Sequence, residues 1–514
     1  MEAVEEVLQR LAGLLAAPFE KYYVWWLEQW EETAHPWHLT IEVALVVLVL
    51  WVLFVKRSYD PEKRGFGDRA PKDELTDKEI DAMVAEWTPE PLAEPLGEDE
   101  DDPVDEQVVI TAVDGPQVAV EGHEGDVLNL ASADFLGLGG DPEIKEVSAD
   151  TLEAYGCGTC GPRGFYGTSK KHTDLEDALA EFMQVDEAIC YSDTVACVAS
   201  AIAAFAKRGD VLILDDGVNH TVQTGAFLSR ATCVWWAHND MEDLERALRA
   251  VTKDDRRTGA NKTQRRFIVT EGLYRNYGDL CPLPDVLALR DRFRVRLICD
   301  ETLSFGVLGA TGRGITEHYG LAPKDIEILV ASLATSLGSV GGFCAGSTEV
   351  VDHQRLSGAG YCYSASAPPF LCAAAHWALG AMKERPELLE TLAAHTQRAQ
   401  RALARAPGMR VESDVDSPII HLRFDDAAEA DDEVQNARLR DIERLCLDNG
   451  VLVRRSRYLE SNDRAPPPSL RVMVSAALTA EELDYAVGEV VNAVAAVVGG
   501  GGRGGGSSGG GRRG

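Results

Sequence analysis

A glycine-rich stretch is the first part of the chain whose residue types could do chemistry. Residues 155–168 read YGCGTCGPRGFYGT and contain five glycines together with Cys157 and Cys160. Glycine allows the backbone to approach a ligand or a partner closely, so this stretch could line a binding site just before a helix. A structural cluster of turns is the alternative interpretation of the same residues.

Three further polar positions could belong to a binding site. Residues 191–194 (YSDT) precede a helix rich in small residues, whose first N–H groups and hydroxyls could hold a phosphate; a plain helix cap is the alternative. Asp300 ends an apolar run, where a carboxylate can face a ligand at the carboxyl edge of a sheet. His220 could stack on a flat ring or fill the core, and taken alone the core is the favoured interpretation.

Short apolar runs alternate with helical patterns around these positions. The runs at residues 211–214, 267–270, 296–299 and 328–331 are typical of buried parallel strands, and helical stretches such as 175–182 and 283–293 lie between them. This alternation predicts an α/β doubly wound domain with a mostly parallel central sheet. After about residue 400 the pattern changes to a smaller α+β unit, which ends in a Val/Ala-rich helix near residues 481–498.

Length, charge and cysteine content limit the class of protein. The 514 residues suggest two or three units, and 84 acidic residues against 50 Lys and Arg give a net charge of −34. Nucleic-acid binding rests on basic surface, so a nucleic-acid partner is disfavoured. The 11 cysteines contain one close pair, Cys157 and Cys160, which favours neither a metal site nor a disulfide framework and fits a reducing compartment.

An apolar segment near the N-terminus has the length of a transmembrane helix. From Leu39 to Val55 the only charged residue is Glu42, and seventeen helical residues span roughly 26 Å, close to the hydrocarbon thickness of a bilayer. A signal peptide would need a basic start and a small-residue cleavage site, and a core helix would need a packing partner nearby. Basic residues concentrate after the span, which predicts a cytosolic C-terminal portion: Lys56, Arg57, Lys63, Arg64, Arg69 and Lys72.

The remaining regions complete a predicted order of six parts. Residues 1–35 include a helical pattern over 4–30 that reads as an amphipathic membrane-surface helix, with a soluble bundle helix as the alternative. Residues 36–57 form the spanning helix, and 58–106 an acidic linker with a short helix around 74–87. Residues 107–400 are the large domain, 401–498 the small domain, and 499–514 a disordered Gly/Arg tail.

The order of the motifs resembles the α-oxoamine synthase family, which joins an amino acid to an acyl-CoA on pyridoxal phosphate (PLP). The resemblance covers about residues 106–495, in the family order. It is carried by residues 129–138, the glycine-rich stretch, 215–220, 270–274, 278–283, 300–306, 312–314, 363–369 and 470–477. The resemblance implies the PLP-dependent transferase fold type I and a dimer with active sites at the subunit interface.

The departures from the family pattern fall on chemical positions. Thr335 stands where active relatives carry the lysine that binds PLP, and no lysine occurs between Lys324 and Lys383. A hydroxyl cannot form an imine or serve as the amine base. Leu303 replaces a histidine expected to contact the PLP phenolic oxygen. We therefore expect no complete catalytic site in this chain, with His220, Asp300, Leu303 and Arg471 as remnant cofactor-site positions.

This combination is similar to the serine palmitoyltransferase branch of the family, in which eukaryotic members pair a lysine-lacking subunit 1 with a lysine-bearing subunit 2. The resemblance implies condensation of L-serine with palmitoyl-CoA to 3-ketodihydrosphingosine, with PLP held by the partner's lysine. It implies an endoplasmic reticulum membrane location with a single span, a small activating subunit and Orm-type regulatory membrane proteins as further partners. It places Cys160, Gly161, Arg163, Tyr166, Tyr363, Ser364 and Ser366 at the shared interface.

Two other interpretations stay open at this point. An independent PLP enzyme would use a lysine elsewhere in the chain. A pure membrane scaffold would make no catalytic contribution. For Cys160, a buried small hydrophobe in tight packing is the alternative to an interface role.

Overall fold

The computed structural model describes residues 41, 44–49, 76–89, 91–92, 107–253, 255–426, 431–458 and 464–500. The chain divides into two units, Met1–Asp102 and Pro103–Gly514. Each unit is described by itself.

The first unit has few described residues. Residue 41 and residues 44–49 are helical and exposed, and α1 spans Asp77–Glu86. A capping box starts α1, because Thr76 accepts from the Glu79 N–H and the Glu79 carboxylate accepts from the Thr76 N–H. This confirms the short helix predicted around residues 74–87. Within the part of the chain that the structure describes, no helix combines the length and apolar character needed to cross a bilayer.

Several sequence predictions fall on residues outside the described ones. They are the amphipathic helix over 4–30, most of the span over 39–55, the acidic run at 98–102 and the tail from 501 onward.

The strands of the second unit form three sheets. In chain order they are β1 (Ile110–Asp114), β2 (Gln117–Val120), β3 (Asp126–Asn129), β4 (Glu187–Tyr191), β5 (Val211–Asp215), β6 (Thr232–Trp236), β7 (Arg266–Glu271), β8 (Arg296–Asp300), β9 (Ile328–Ser332), β10 (Gly342–Gly346), β11 (Met409–Val411), β12 (Ile419–Phe424), β13 (Val451–Leu452), β14 (Arg454–Arg455) and β15 (Leu470–Met473).

The helices of this unit cover the sheets. They are α2 (Pro142–Tyr155), α3 (Lys170–Met183), α4 (Thr194–Phe205), α5 (His220–Ser229), α6 (Met241–Thr252), α7 (Asp255–Thr258), α8 (Leu283–Phe293), α9 (Ile315–His318), α10 (Thr348–Ser357), α11 (Ala359–Cys362), α12 (Pro369–Glu384), α13 (Glu387–Leu403), α14 (Asp432–Asp448) and α15 (Ala480–Gly500). Polar N-caps start several of them: the side chains of Asp141, Asp193, Asn219 and Asp240 accept backbone N–H groups of α2, α4, α5 and α6.

The central sheet has seven strands in the order β4-β10-β9-β8-β7-β5-β6. Strands β9, β8, β7, β5 and β6 run parallel, and β10 is antiparallel to both of its neighbours. Every residue of β5, β7 and β9 is buried, because helices cover both faces of such a sheet. The mostly parallel α/β domain predicted from the apolar runs is therefore confirmed.

Two four-stranded sheets contain the C-terminal strands. One has the order β11-β12-β15-β14, and the other has the order β1-β2-β3-β13. In the second sheet β13 pairs in parallel with β3, so residues 126–129 hydrogen-bond to residues 451–452. Helix α13 also crosses the predicted boundary at residue 400 and packs against α15. Residues from the start of the second unit thus pair with residues near its end. The predicted boundary between a large and a small domain at residue 400 stays a prediction.

Candidate functional site

The glycine-rich loop follows α2 and closes tightly on itself. Its last turn covers Arg163–Gly167, and Tyr166 in that turn has a φ of +66° and a fully exposed side chain. At Gly167 an added Cβ would lie 2.0 Å from the Gly161 carbonyl oxygen, so only glycine fits. The glycines predicted that the backbone would approach another group closely. At Gly167 this group is the backbone of Gly161 in the same chain.

A second segment, around residue 366, holds the loop in place through hydrogen bonds. The Ser366 N–H and hydroxyl both donate to the Gly161 carbonyl oxygen, at 3.0 and 3.1 Å. The Thr159 hydroxyl donates to the Ser366 carbonyl oxygen at 3.2 Å. The structure therefore joins Gly161 and Ser366, two of the predicted interface residues, through hydrogen bonds inside this chain.

Arg163 also acts inside the chain. Its guanidinium donates two parallel hydrogen bonds to the Glu176 carboxylate, both at 2.8 Å, and its side chain is buried. Glu176 accepts a third bond from the Cys190 N–H at 2.8 Å, which ties the loop to β4. A bidentate Arg–carboxylate pair holds one geometry strongly. Arg163 is thus a support for the loop and does not present its side chain at the surface.

The loop and the short helix α11, which contacts it, carry exposed side chains that we call the interface face: Cys160, Phe165 and Tyr166 in the loop, and Tyr363 at the end of α11. Tyr363 is 85% exposed and Phe165 is 70% exposed. Cys160 is exposed at a φ of +55°, so its interpretation as a buried small hydrophobe is wrong for this chain. Ser364 lies behind Tyr363 and shares a hydrogen bond of 3.3 Å with Ser192. Contact of this face with a partner stays a prediction.

A cavity of about 630 Å³ lies at the carboxyl edge of the central sheet. We call it the sheet-edge cavity. All five cofactor-site positions singled out in the sequence line it: His220, Asp300, Leu303, Thr335 and Arg471. The first residues of α4 and α5 and the strands β14 and β15 complete its walls. The fold thus brings residues more than 250 positions apart in the sequence to one cavity, and their role as cofactor-site remnants stays a prediction.

Thr335 occupies the floor of the cavity without an amine nearby. Its hydroxyl donates to the Thr302 carbonyl oxygen at 3.0 Å, and no lysine is among the described lining residues. Leu303 is buried beside it. This wall therefore offers apolar surface and a satisfied hydroxyl, and no group that could form an imine.

Asp300 is hydrogen-bonded within the chain. Its carboxylate accepts from the Asn219 side-chain amide at 3.2 Å and from the Thr302 N–H at 2.9 Å. Burial raises the pKa of Asp300, and burial together with the charge of Asp300 raises the pKa of Glu271, its cross-strand neighbour. Two buried carboxyls side by side favour binding of a proton between them.

The start of α4 resolves a choice that the sequence left open. The Asp193 carboxylate accepts from the Ala196 N–H at 2.8 Å and caps the helix. The Thr194 hydroxyl bonds the Gly341 carbonyl oxygen at 2.7 Å and the Ser332 hydroxyl at 3.0 Å. Asp193 is therefore a helix cap, as one of the two interpretations predicted, and phosphate binding at this helix start stays a prediction.

PLP does not fit the sheet-edge cavity as a covalently held group. Thr335 supplies no amine, and Leu303 supplies no polar contact. His220 is exposed at the cavity mouth and bonds the Thr224 hydroxyl at 3.3 Å, so its interpretation as a core residue is wrong.

Sequence reasoning missed a group of arginines in the same cavity. Arg275, Arg454, Arg455 and Arg457 line it together with Arg471. The run Arg454-Arg455-Ser456-Arg457 is visible as a basic cluster in an acidic chain, and it was the available signal. Arg275 carried no such signal, because only the fold brings it to this edge.

Comparison with known proteins shows the family. Residues 125–490 match the family described as aminotransferase class I and II. The chain belongs to this family. It is 36% identical over 496 residues to long chain base biosynthesis protein 1b of Oryza sativa subsp. japonica, covering 96% of this chain and 98% of that protein. It is 38% identical over 452 residues to serine palmitoyltransferase 1 of Dictyostelium discoideum, covering 87% and 91%.

Solved structures show the same fold. A high-resolution structure of SPT with PLP superposes with a TM-score of 0.68 at 26% identity, covering 76% of this chain and 93% of that one. The fold type predicted from the motif order, a PLP-dependent transferase fold, is confirmed.

Proposed function

We propose that this chain is the lysine-lacking subunit of a serine palmitoyltransferase, the acyltransferase that condenses L-serine with palmitoyl-CoA in the first step of sphingolipid biosynthesis. The observation that carries the proposal is Thr335 at the family's lysine position, in a chain similar over most of its length to proteins named long chain base biosynthesis protein 1b and serine palmitoyltransferase 1. The reaction then needs a second subunit whose lysine holds PLP. When bound there, PLP supplies an electron sink for the bond changes at the amino acid.

The contribution of this chain is to hold the interface face in one shape. The Gly161–Ser366 bonds and the Arg163–Glu176 pair fix the loop backbone, so Cys160 and Tyr166 keep fixed positions on its outer side. Exposed aromatic side chains, such as Tyr166 on the loop and Tyr363 at the end of α11, are typical anchors of protein interfaces. We infer that this face meets the partner beside the partner's active site.

The membrane attachment is part of the same proposal. Residues 39–55 span the endoplasmic reticulum membrane once, with the second unit on the cytosolic side. Palmitoyl-CoA and the long-chain product partition into bilayers, which supports a site held close to the membrane. The aromatic helical pattern over residues 4–30 and the span would also dock a small activating subunit and Orm-type regulatory proteins.

The experiment is expression of the full chain with and without a lysine-bearing subunit in cells that lack serine palmitoyltransferase. We expect formation of 3-ketodihydrosphingosine from labelled L-serine and palmitoyl-CoA only when both chains are present, and co-purification of the two. Product formed by this chain alone would overturn the proposal in favour of an independent enzyme. Full activity of the partner without this chain would favour a scaffold.

A further inference from the structure

A second cavity, of about 450 Å³, lies at the amino edge of the central sheet, where the parallel strands begin. We call it the amino-edge cavity. Its lining includes two buried apolar residues, Phe267 of β7 and Ile328 of β9, and the end of α4 and the first turns of α10 complete its walls. Small-molecule sites usually have a volume of roughly 300–1,000 Å³, so the amino-edge cavity is large enough for a ligand. The proposed function uses none of these residues.

Two arginines reach this cavity from one face of the sheet. Arg296, the first residue of β8, pairs in register with Phe267 of β7. Arg265 lies two residues before Phe267, and its carbonyl oxygen continues the ladder by accepting the Val211 N–H at 3.0 Å. Register partners on parallel strands point to the same face, and so do residues two apart on one strand. The side chains of Arg265 and Arg296 therefore project to the same side of the sheet.

Both guanidiniums keep donors that the protein does not use. Arg265 donates from one terminal nitrogen to the Phe205 carbonyl oxygen at 3.0 Å, and its other side-chain N–H groups find no acceptor among the described residues. The exposed side chain of Arg296 makes no hydrogen bond or ion pair with any described residue. Neither arginine forms an ion pair with a carboxylate in the part of the chain that the structure describes.

The two carboxylates that line the cavity are already engaged. Glu327 accepts from the Leu297 N–H at 3.0 Å and forms an ion pair with Arg290 at 3.4 Å. Glu349 lies in the first turn of α10, where the Ser347 side chain and the backbone N–H of Glu349 itself lower its pKa. The charged groups left free for a ligand are therefore the guanidiniums, which favours an anion.

An aromatic pair forms another part of the lining. The rings of Phe205, at the end of α4, and His353, in α10, lie with their centroids 4.9 Å apart. The His353 Nε2–H donates to the Ala204 carbonyl oxygen at 2.8 Å, which holds the imidazole in place. Both residues are half-buried, so part of each ring stays accessible from the cavity. Aromatic rings held in place favour an offset or edge contact with a further ring.

We propose that the amino-edge cavity binds a small aromatic carboxylate, with its carboxylate on Arg265 and Arg296 and its ring against Phe205 and His353. The planar guanidinium fork matches a carboxylate with paired hydrogen bonds. The inference goes beyond the proposed function and does not depend on it, because binding is measured on this chain alone.

The test is calorimetry on the full chain purified in detergent, with titrations into detergent alone as blanks. Three probes separate the two contacts: 3-phenylpropionate has the ring and the carboxylate, 3-phenyl-1-propanol has the ring alone, and propionate has the carboxylate alone. We expect one saturable site for 3-phenylpropionate. The other two probes should bind about tenfold or more weakly, because each lacks one of the two contacts.

A pair of arginine variants locates the site. Arg296→Gln should weaken 3-phenylpropionate binding about tenfold or more through loss of charge-assisted hydrogen bonds. Arg296 is exposed and makes no hydrogen bond or ion pair with a described residue, so we expect this variant to fold. Arg294→Gln is the matched control, because Arg294 is an exposed arginine two residues earlier that does not line the cavity, and it should bind like the wild type.

Three results would overturn the proposal. They are no saturable binding of 3-phenylpropionate, equal binding of 3-phenyl-1-propanol, and binding that is unchanged in Arg296→Gln. Binding that is lost in Arg471→Gln but kept in Arg296→Gln would assign the probe to the sheet-edge cavity and would overturn the proposal as well.

Discussion

The Thr335 hydroxyl donates its hydrogen bond to the backbone carbonyl oxygen of Thr302 at 3.0 Å. The side chain at the family's lysine position is thus engaged with the loop after β8, the strand that ends in Asp300. Its hydroxyl hydrogen is therefore directed at the protein backbone, and the residue acts as part of the cavity wall.

The first prediction is that the isolated chain stays colourless with PLP. Because no described lining residue of the sheet-edge cavity is a lysine, we expect no Schiff-base absorption band after incubation with PLP. Borohydride reduction followed by peptide mass spectrometry should find no pyridoxyl group on a cavity peptide. The same treatment of a lysine-bearing partner is the positive control. A reducible band assigned to the cavity of this chain would support the independent enzyme instead.

The second prediction concerns the Arg163–Glu176 pair. Arg163→Ala should reduce the free energy of unfolding by about 3–5 kcal/mol, because it leaves the buried Glu176 carboxylate without its partner. Urea unfolding of the full chain in detergent measures the change. The control is Lys170→Ala, which removes an exposed pair with Asp174 and should cost far less than Arg163→Ala, because solvent screens an exposed pair. Equal effects of the two substitutions would refute the supporting role of Arg163.

The third prediction is that Cys160→Trp changes serine turnover by the heterodimer. Cys160 has a φ of +55°, which a bulky side chain adopts only with strain, and it adjoins Gly161, whose carbonyl oxygen receives two bonds from Ser366. A large indole there changes the shape of the interface face. Rates with L-serine and with L-alanine, measured on co-purified complexes, report turnover and amino-acid choice.

The control for this change is Cys157→Trp, at an exposed cysteine of the same loop. If Cys160→Trp leaves both rates at the wild-type level, the chain contributes no shape to the active site and the scaffold interpretation gains support.

The fourth prediction is a loss of stability at alkaline pH that depends on His238. Burial alone would lower the pKa of His238, but hydrogen bonds and charges from Asp215 and Asp279 raise it to about 10. The folded state therefore holds a proton that the unfolded chain releases near pH 6.5. The stabilisation is complete below about pH 6.5 and declines as the pH rises toward 10.

Unfolding free energies between pH 6 and pH 10 test this dependence. We expect a decline in the wild type and a flatter profile in His238→Gln. His376→Gln, at an exposed histidine, should keep the wild-type profile. A wild-type profile that is flat over this range would contradict the bridging of the two aspartates by a protonated ring.

The fifth prediction concerns the membrane segment. Deletion of residues 1–56 should release the complex from regulation by small membrane subunits and leave the heterodimer intact, since the interface face lies at residues 160–166 and 363. Co-purification with the partner and sensitivity to added regulatory subunits are the two measurements. Loss of the heterodimer in the shortened chain would show that the N-terminal segment holds the subunits together.

The sequence predicted those parts of the fold whose signal is local. The apolar runs gave β5, β7, β8 and β9, because a strand buried on both faces needs apolar residues throughout. The antiparallel direction of β10 was not predictable, since strand direction depends on the connection that precedes it and not on the residues of the strand.

Motif order indicated some residues of the candidate site. The arginines of the same cavity other than Arg471 belong to no motif and were missed. The positions that the motif order grouped line one cavity: His220, Asp300, Leu303, Thr335 and Arg471. The sequence did not show that the Arg163 guanidinium points inward at Glu176, because an arginine in a glycine-rich loop can point either into the protein or toward a partner. That Arg275 and Arg454 line the same cavity depends on tertiary packing, which the residue types alone do not encode.

The pairing of β3 with β13 also has a consequence for how the protein is made. The partner strand of residues 126–129 is at residues 451–452, so about 320 residues must be synthesised in between, which at ~5–20 residues per second takes roughly 20–60 s. During that time the edge of β3 that later pairs with β13 is unpaired, and strands of other proteins can bind to it. A premature stop codon before position 451 should therefore yield an aggregation-prone protein that binds chaperones, and not a shorter functional subunit.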